Sequence, residues 1–246
     1  MTLPKLVKLS ELSLKEPAVF ILDSGAGAHS IYQQCKKLRP EMNYVILEDQ
    51  GFFPYGDKSN TELTEHLQTI AEEIRLHSPI SLILACNTAS THGLEIFRQS
   101  LTCPVIGTVP PIKTAVAQSK TKKLALLATP ATINSPYTAQ LLEDFATNTE
   151  THLIPTANLA QISENFFRNN SLCTQKLSQE LHPLTKIVDL DTIALGCTHY
   201  HLIKSEIKKL FPDCEIIDCS PAIAKQFHRV SPQIMSQRPR LTRCYI

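Results

Sequence analysis

Two cysteines stand in closely matching surroundings. Ala85-Cys86-Asn87-Thr88 follows the apolar run Ser81-Leu82-Ile83-Leu84, and Gly196-Cys197-Thr198-His199 follows Thr192-Ile193-Ala194-Leu195. Each run reads as a buried strand that delivers a thiol, with amide or hydroxyl groups beside it, at the carboxyl end where open α/β sheets bind ligands. One such thiol is a nucleophile candidate. Two, supplied by equivalent halves of one chain, suit a different chemistry, in which one takes a proton from one face of a substrate carbon and the other returns a proton to the opposite face. Cys35, Cys103, Cys173, Cys214, Cys219 and Cys244 read instead as small apolar side chains, because cysteine is among the most often buried residue types. Cys86 and Cys197 differ in being flanked by polar groups that a core would not hold without a reason.

Other residues could serve the same chemistry. Asp23-Ser24-Gly25-Ala26-Gly27 follows the first strong strand, where small residues bring backbone N–H groups to a helix start that can hold a carboxylate or phosphate. A dinucleotide fingerprint would want a third glycine at Ser30 and an acid after the second strand, which Glu48 or Asp49 could supply; the match is partial and leaves the twin thiols without a role. The loop Asp49 to Ser59 is rich in glycine and proline, and in it Tyr55 and the Gly56 amide could position a substrate, while Asp49 and Lys58 read equally as a surface pair. Thr88 and Thr198 offer donors to a carboxylate. If the strand continues past Cys197, then Cys197, His199 and His201 share one face, which is an alternative metal triad for a hydrolase. His29, His66, His77, His92, His152, His182 and His228 look scattered and receive no role.

These groups need a scaffold, and the rest of the chain describes one. Short β-branched runs alternate with longer amphipathic segments, the rhythm of parallel sheets with helices on both faces. Strands are expected at 18–22, 43–47, 80–85, 105–107, 123–128, 152–154, 192–196 and 215–217, with helices at 59–77, 132–146 and 202–211. The stretch 104–123, with three prolines and four lysines, reads as a crossing between domains, and 231–246 as loosely packed apart from a short strand at 241–246. The 246 residues suffice for two domains, and the duplicated cysteine segments favour two. Because 24 basic residues balance 23 acidic ones, no strong field draws nucleic acid or an anionic membrane, so the expected partner is a small molecule. No apolar run approaches the ~18 residues of a membrane span, no export signal is recognisable, and eight cysteines without a Cys-x-x-Cys pair fit reduced thiols in the cytoplasm. A homodimer is compatible with the sequence.

Asp23-Ser24-Gly25, Pro54-Tyr55-Gly56-Asp57-Lys58-Ser59, Ala85-Cys86-Asn87-Thr88-Ala89-Ser90 and Leu195-Gly196-Cys197-Thr198-His199-Tyr200 resemble, in order and spacing, the motifs of the cofactor-independent glutamate racemases within the aspartate/glutamate racemase group. Leu127-Ala128-Thr129-Pro130-Ala131-Thr132 and Ile217-Asp218 are weaker echoes. The resemblance implies two pseudo-symmetric α/β domains facing across a cleft, 1–111 with 220–246 and 112–219. It implies Cys86 and Cys197 as the acid–base pair, assisted by Asp23 and His199 respectively. Substrate contacts would come from Asp23, Ser24, Tyr55, Gly56, Asn87, Thr88, Thr198 and His199. It further implies racemisation of glutamate without a cofactor or metal, with D-glutamate destined for peptidoglycan.

The chain departs from the family pattern at several points. Ala26, Ala28, Phe52 and His201 replace a valine, a glycine, an arginine and a proline, and Gly107-Thr108-Val109-Pro110-Pro111 lacks a glutamate usual before its second proline. A further family glutamate near the second thiol has Glu164 as its nearest candidate. These gaps leave room for a degenerate relative that binds an amino acid or a protein partner without turnover.

Overall fold

The computed structural model describes residues 4–232 and 234–246. Its contacts divide the chain into two units, Met1–Thr108 with Ser220–Ile246, and Val109–Cys219. The first contains β1 (Leu6–Lys8), β2 (Ala18–Asp23), α1 (Ala28–Leu38), β3 (Asn43–Glu48), α2 (Asn60–Arg75), β4 (Ser81–Leu84), α3 (Asn87–Ser100) and β5 (Val105–Gly107). The second runs through α4 (Ile112–Gln118), β6 (Lys123–Ala128), α5 (Pro130–Ile133), α6 (Pro136–Phe145), β7 (Glu150–Pro155), α7 (Leu159–Asn169), α8 (Thr174–Leu181), β8 (Thr192–Leu195), α9 (Lys204–Leu210) and β9 (Glu215–Ile217). The chain then returns to the first unit with α10 (Ser220–Val230) and β10 (Leu241–Tyr245).

Both sheets are wholly parallel, as the unbroken burial of β2, β4 and β8 requires of strands covered by helices on both faces. Their strand orders are β1-β10-β3-β2-β4-β5 and β7-β6-β8-β9. Within them, β3-β2-β4-β5 and β7-β6-β8-β9 are the same pattern. Winding reverses between β2 and β4 in one sheet and between β6 and β8 in the other, and beside such reversals the carboxyl ends of the strands leave room for a ligand.

The expected strands form with small shifts at their ends, and the helix expected at 59–77 is α2. Ser59 caps it: its hydroxyl accepts from the Glu62 N–H, while the Glu62 carboxylate accepts from the Ser59 N–H at 3.1 Å. The stripe Leu63, Leu67, Ile70, Ala71 and Ile74 is fully buried, and each large aliphatic side chain contributes about 2 kcal/mol by leaving water. α2 packs on α3 at Gly93, where a Cβ would come within 2.7 Å of Leu67 Cδ1.

Two expectations need correction. The helix at 132–146 is two helices, because Ser135 caps the second from just ahead of Pro136, a residue suited only to a first turn. The helix at 202–211 begins earlier, as a 3-10 turn over Thr198–Ile203 that leads into α9. The short strand expected at 241–246 forms as β10, which lies between β1 and β3, with Cys244 fully buried and Arg243 meeting Glu48. The stretch 104–123 also holds ordered elements, β5 and α4, with the division between units at Thr108. Among the described residues no helix is long and apolar enough to cross a membrane.

Candidate active site

In the first unit, β2 ends on Asp23, which is wholly buried. Its Oδ1 accepts from the Ser24 hydroxyl at 3.2 Å and the Gly25 N–H at 3.1 Å, so the carboxylate is held against its own turn. On one side the Asp23 carbonyl accepts from Asp49 N–H at 3.0 Å; on the other, Leu22 O accepts from Ala85 N–H at 2.7 Å. Sheet register thus brings Asp23 between the start of the Asp49 loop and the strand end that carries Cys86. No described glycine adopts a positive φ, so the Asp23 turn uses the small size of its residues rather than a left-handed backbone.

Cys86 is the residue that caps α3, and its Sγ accepts from the Ala89 N–H at 3.5 Å. The partial positive charge of a helix N-terminus favours negative charge on that sulfur. Asn87 and Thr88 follow in the first turn, both buried. Tyr55 packs in the same core cluster as Cys86, and its hydroxyl donates to Asp49 Oδ2 at 2.7 Å. Burial, and then the negative charge of Asp49, hold the Tyr55 phenol well above its usual value, so it remains a donor. Gly56 follows it in the 3-10 turn Tyr55–Asp57. Asp49 is therefore buried and bonded to Tyr55 and His66, not paired with Lys58 at the surface.

The second unit repeats the device. Cys197 follows β8 as Cys86 follows β4, with φ −142° and ψ 135° against φ −140° and ψ 124°. Gly196 before it is sterically required: a Cβ there would lie 2.8 Å from Ala128 Cβ and 3.0 Å from Leu127 O. Gly196→Ala is expected to cost about 2 kcal/mol of stability, the ordinary penalty of overpacking, measured as a lowered urea midpoint. Thr198 and His199 are buried in the 3-10 turn, and α7 packs on it.

There His199 Nε2 lies 3.0 Å from Glu164 Oε2, a close electrostatic contact, while Glu164 Oε1 accepts from Arg168 Nε at 2.8 Å. Glu164 bridges the histidine beside Cys197 and an arginine one helical turn on. The sequence made it only the nearest candidate. The Glu164-x-x-x-Arg168 spacing was the available signal.

The structure overturns the metal triad. The paired strand stops at Leu195 and the backbone is extended as far as Cys197, but the 3-10 turn from Thr198 removes the alternation that would align Cys197, His199 and His201, and His201 Nε2 lies 3.8 Å from Cys219 Sγ. Among the described residues no group of three or more His, Cys, Asp or Glu side chains is disposed to hold a metal ion. The dinucleotide reading loses its acid as well, since Glu48 is bonded to Arg243 and Asp49 to Tyr55.

Burial lowers the His201 imidazole to about 4 against an unperturbed 6.5, outweighing the opposite pull of Asp218. The unfolded chain therefore takes up a proton that the folded chain refuses between those values. Stability is full above about pH 7 and falls as pH drops from 6.5 to 4, by on the order of 2 kcal/mol after discounting for the ring's partial exposure. Urea midpoints at pH 7.5 and 4.5 check this, and His201→Leu should remove that part of the pH dependence.

A pair of wholly parallel α/β units of this topology is a fold that glutamate racemases of known structure share. The chain belongs to the Asp/Glu/Hydantoin racemase family, whose model matches residues 29–227. It is 39% identical over 211 residues to a glutamate racemase of Pasteurella multocida, covering 85% of this chain and 78% of that one. The fold matches Escherichia coli glutamate racemase, solved with L-glutamate and the activator UDP-MurNAc-Ala, with a TM-score of 0.87 at 29% identity over 93% of this chain and 89% of that one. It also matches glutamate racemase isoform RacE1 of Bacillus anthracis, with a TM-score of 0.78 at 29% identity, covering 94% and 88% of the two chains.

Proposed function

We propose that this protein interconverts L- and D-glutamate without a cofactor, with Cys86 and Cys197 as paired acid–base residues and the two units as its two domains. The observation that carries this reading is the duplication itself: two thiols at equivalent strand ends, in the same backbone conformation, in a chain of the racemase family.

In one direction a cysteine thiolate takes the α-proton, so that an S–H bond forms as the C–H bond breaks. The freed electron pair spreads into the α-carboxylate, and the other thiol gives its proton to the opposite face. The roles exchange for the reverse reaction. Backbone N–H groups after Asp23 and in the first turn of α3, with Asn87, Thr88 and Thr198, would hold the carboxylate as charge builds on it. Tyr55 and Gly56 would contact the substrate from their loop. Asp23 would assist Cys86, and His199, oriented by Glu164, would assist Cys197. D-glutamate formed in the cytoplasm would supply peptidoglycan.

Solvent exchange tests the reading. In deuterated water either enantiomer of glutamate should acquire α-deuterium while circular dichroism decays toward zero. Glutamate-dependent thermal stabilisation without exchange or loss of dichroism would instead identify a binding protein.

A further inference from the structure

We propose that His66 is a positioning residue that sets the geometry of the Asp49–Ser59 loop, and through it the substrate contacts of Tyr55 and Gly56; this rests on the racemase reading of that loop. His66 stands in the second turn of α2, whose first turn is fixed by the Ser59–Glu62 capping box. Its Nε2 lies 2.5 Å from Asp49 Oδ2, the oxygen that also accepts from the Tyr55 hydroxyl at 2.7 Å. A carboxylate can only accept, so the imidazole proton is on Nε2 and both neighbours donate. The same imidazole stacks on Phe52, with centroids 4.0 Å apart and planes at 26°, and lies edge-on to Tyr55 at 6.3 Å. Lys58 Nζ sits 4.9 Å from the centre of the Phe52 ring. The start, tip and substrate-facing tyrosine of the loop are therefore all referenced to one side chain on a rigid helix.

Backbone bonds inside the loop are few and long: Phe52 N–H to Asp49 O at 3.3 Å, Asp57 N–H to Pro54 O at 3.4 Å, and Lys58 N–H to Tyr55 O at 3.2 Å. They leave the loop dependent on its side-chain anchors. Without the His66 donor, Asp49 is a buried carboxylate held by Tyr55 with one partner fewer, and the loop gains freedom to carry it toward water.

Two variants separate the hydrogen bond from the packing. His66→Phe keeps an aromatic ring against Phe52 and removes the donor, whereas His66→Gln restores a donor of similar reach. His66→Phe is expected to raise KM for both glutamate enantiomers about tenfold with kcat within about twofold, and to speed deuterium exchange of the Phe52 and Lys58 amides by at least about tenfold. His66→Gln should bring both readouts back to within about threefold of wild type. Wild-type KM and exchange in His66→Phe, equal impairment in the two variants, or a fall in kcat at constant KM would each overturn the proposal. If the wild-type protein fails to racemise glutamate, the functional reading is lost while the amide exchange still decides the role of His66. If His66→Phe does not fold, Phe52→Leu removes the stack alone; a KM raised about threefold supports the anchor, and an unchanged KM refutes it.

Discussion

Cys86→Ala and Cys197→Ala are each expected to lower kcat/KM by about 10³-fold with L- and with D-glutamate alike, a loss at the centre of the range for a removed general acid or base. Either substitution should stop both directions, because the residue that is base in one direction is acid in the other. Each variant keeps one thiol, which can still take a proton from its own face and put a deuteron back there. Residual exchange in deuterated water should therefore proceed with retention, in one enantiomer for Cys86→Ala and in the opposite enantiomer for Cys197→Ala. Proton NMR of the α-position, followed alongside circular dichroism, reads both quantities. Racemisation within tenfold of wild type in either variant would end the two-thiol account.

Arg243→Ala should destabilise the first unit by about 3 kcal/mol, the low end of the loss when one member of a buried ion pair is removed. Glu48 is fully buried at the end of β3, and its Oε1 accepts from Arg243 Nε at 2.8 Å and Nη2 at 2.5 Å, with His29 Nε2 at 3.1 Å. Deleting the guanidinium leaves the carboxylate desolvated, with partners unable to replace two charge-assisted bonds. The double variant Glu48→Gln with Arg243→Met removes both charges, so it should lose clearly less than Arg243→Ala alone. Urea unfolding with an unchanged slope measures both. A loss under about 1 kcal/mol for Arg243→Ala would show that water reaches Glu48 and that the pair does not secure β10 in the sheet.

Much of the first unit was legible because its signals are local. The α2 stripe repeats at helical spacing behind a Ser-x-x-Glu cap, and β2 and β4 are continuous apolar runs, so element type follows from periodicity. What escaped depends on one residue or on distance. Ser135-Pro136 split a helix that periodicity alone would have continued. Residues 198–203 form a 3-10 turn rather than an extended continuation, which removed the proposed alignment of Cys197, His199 and His201. Glu164 was the nearest match to a family position and nothing more, because its meaning comes from His199, thirty-five residues away in sequence and 3.0 Å away in space. His66 and Arg243 carried no motif at all.

The sequence by itself determined which side chains end the strands, and so which groups the two switch points present: thiols at Cys86 and Cys197 and a carboxylate at Asp23. Strand and turn patterns are written in neighbouring residues, and a parallel sheet places strand ends at one edge whatever else the chain does. The tertiary structure alone decided which partners those groups acquire. Glu164 against His199, His66 against Asp49, and Arg243 from the last strand against Glu48 all join residues far apart in the chain. Pairings of that kind are selected by burial, since a charged group removed from water must find its partner wherever packing brings one, and no local pattern records where that will be.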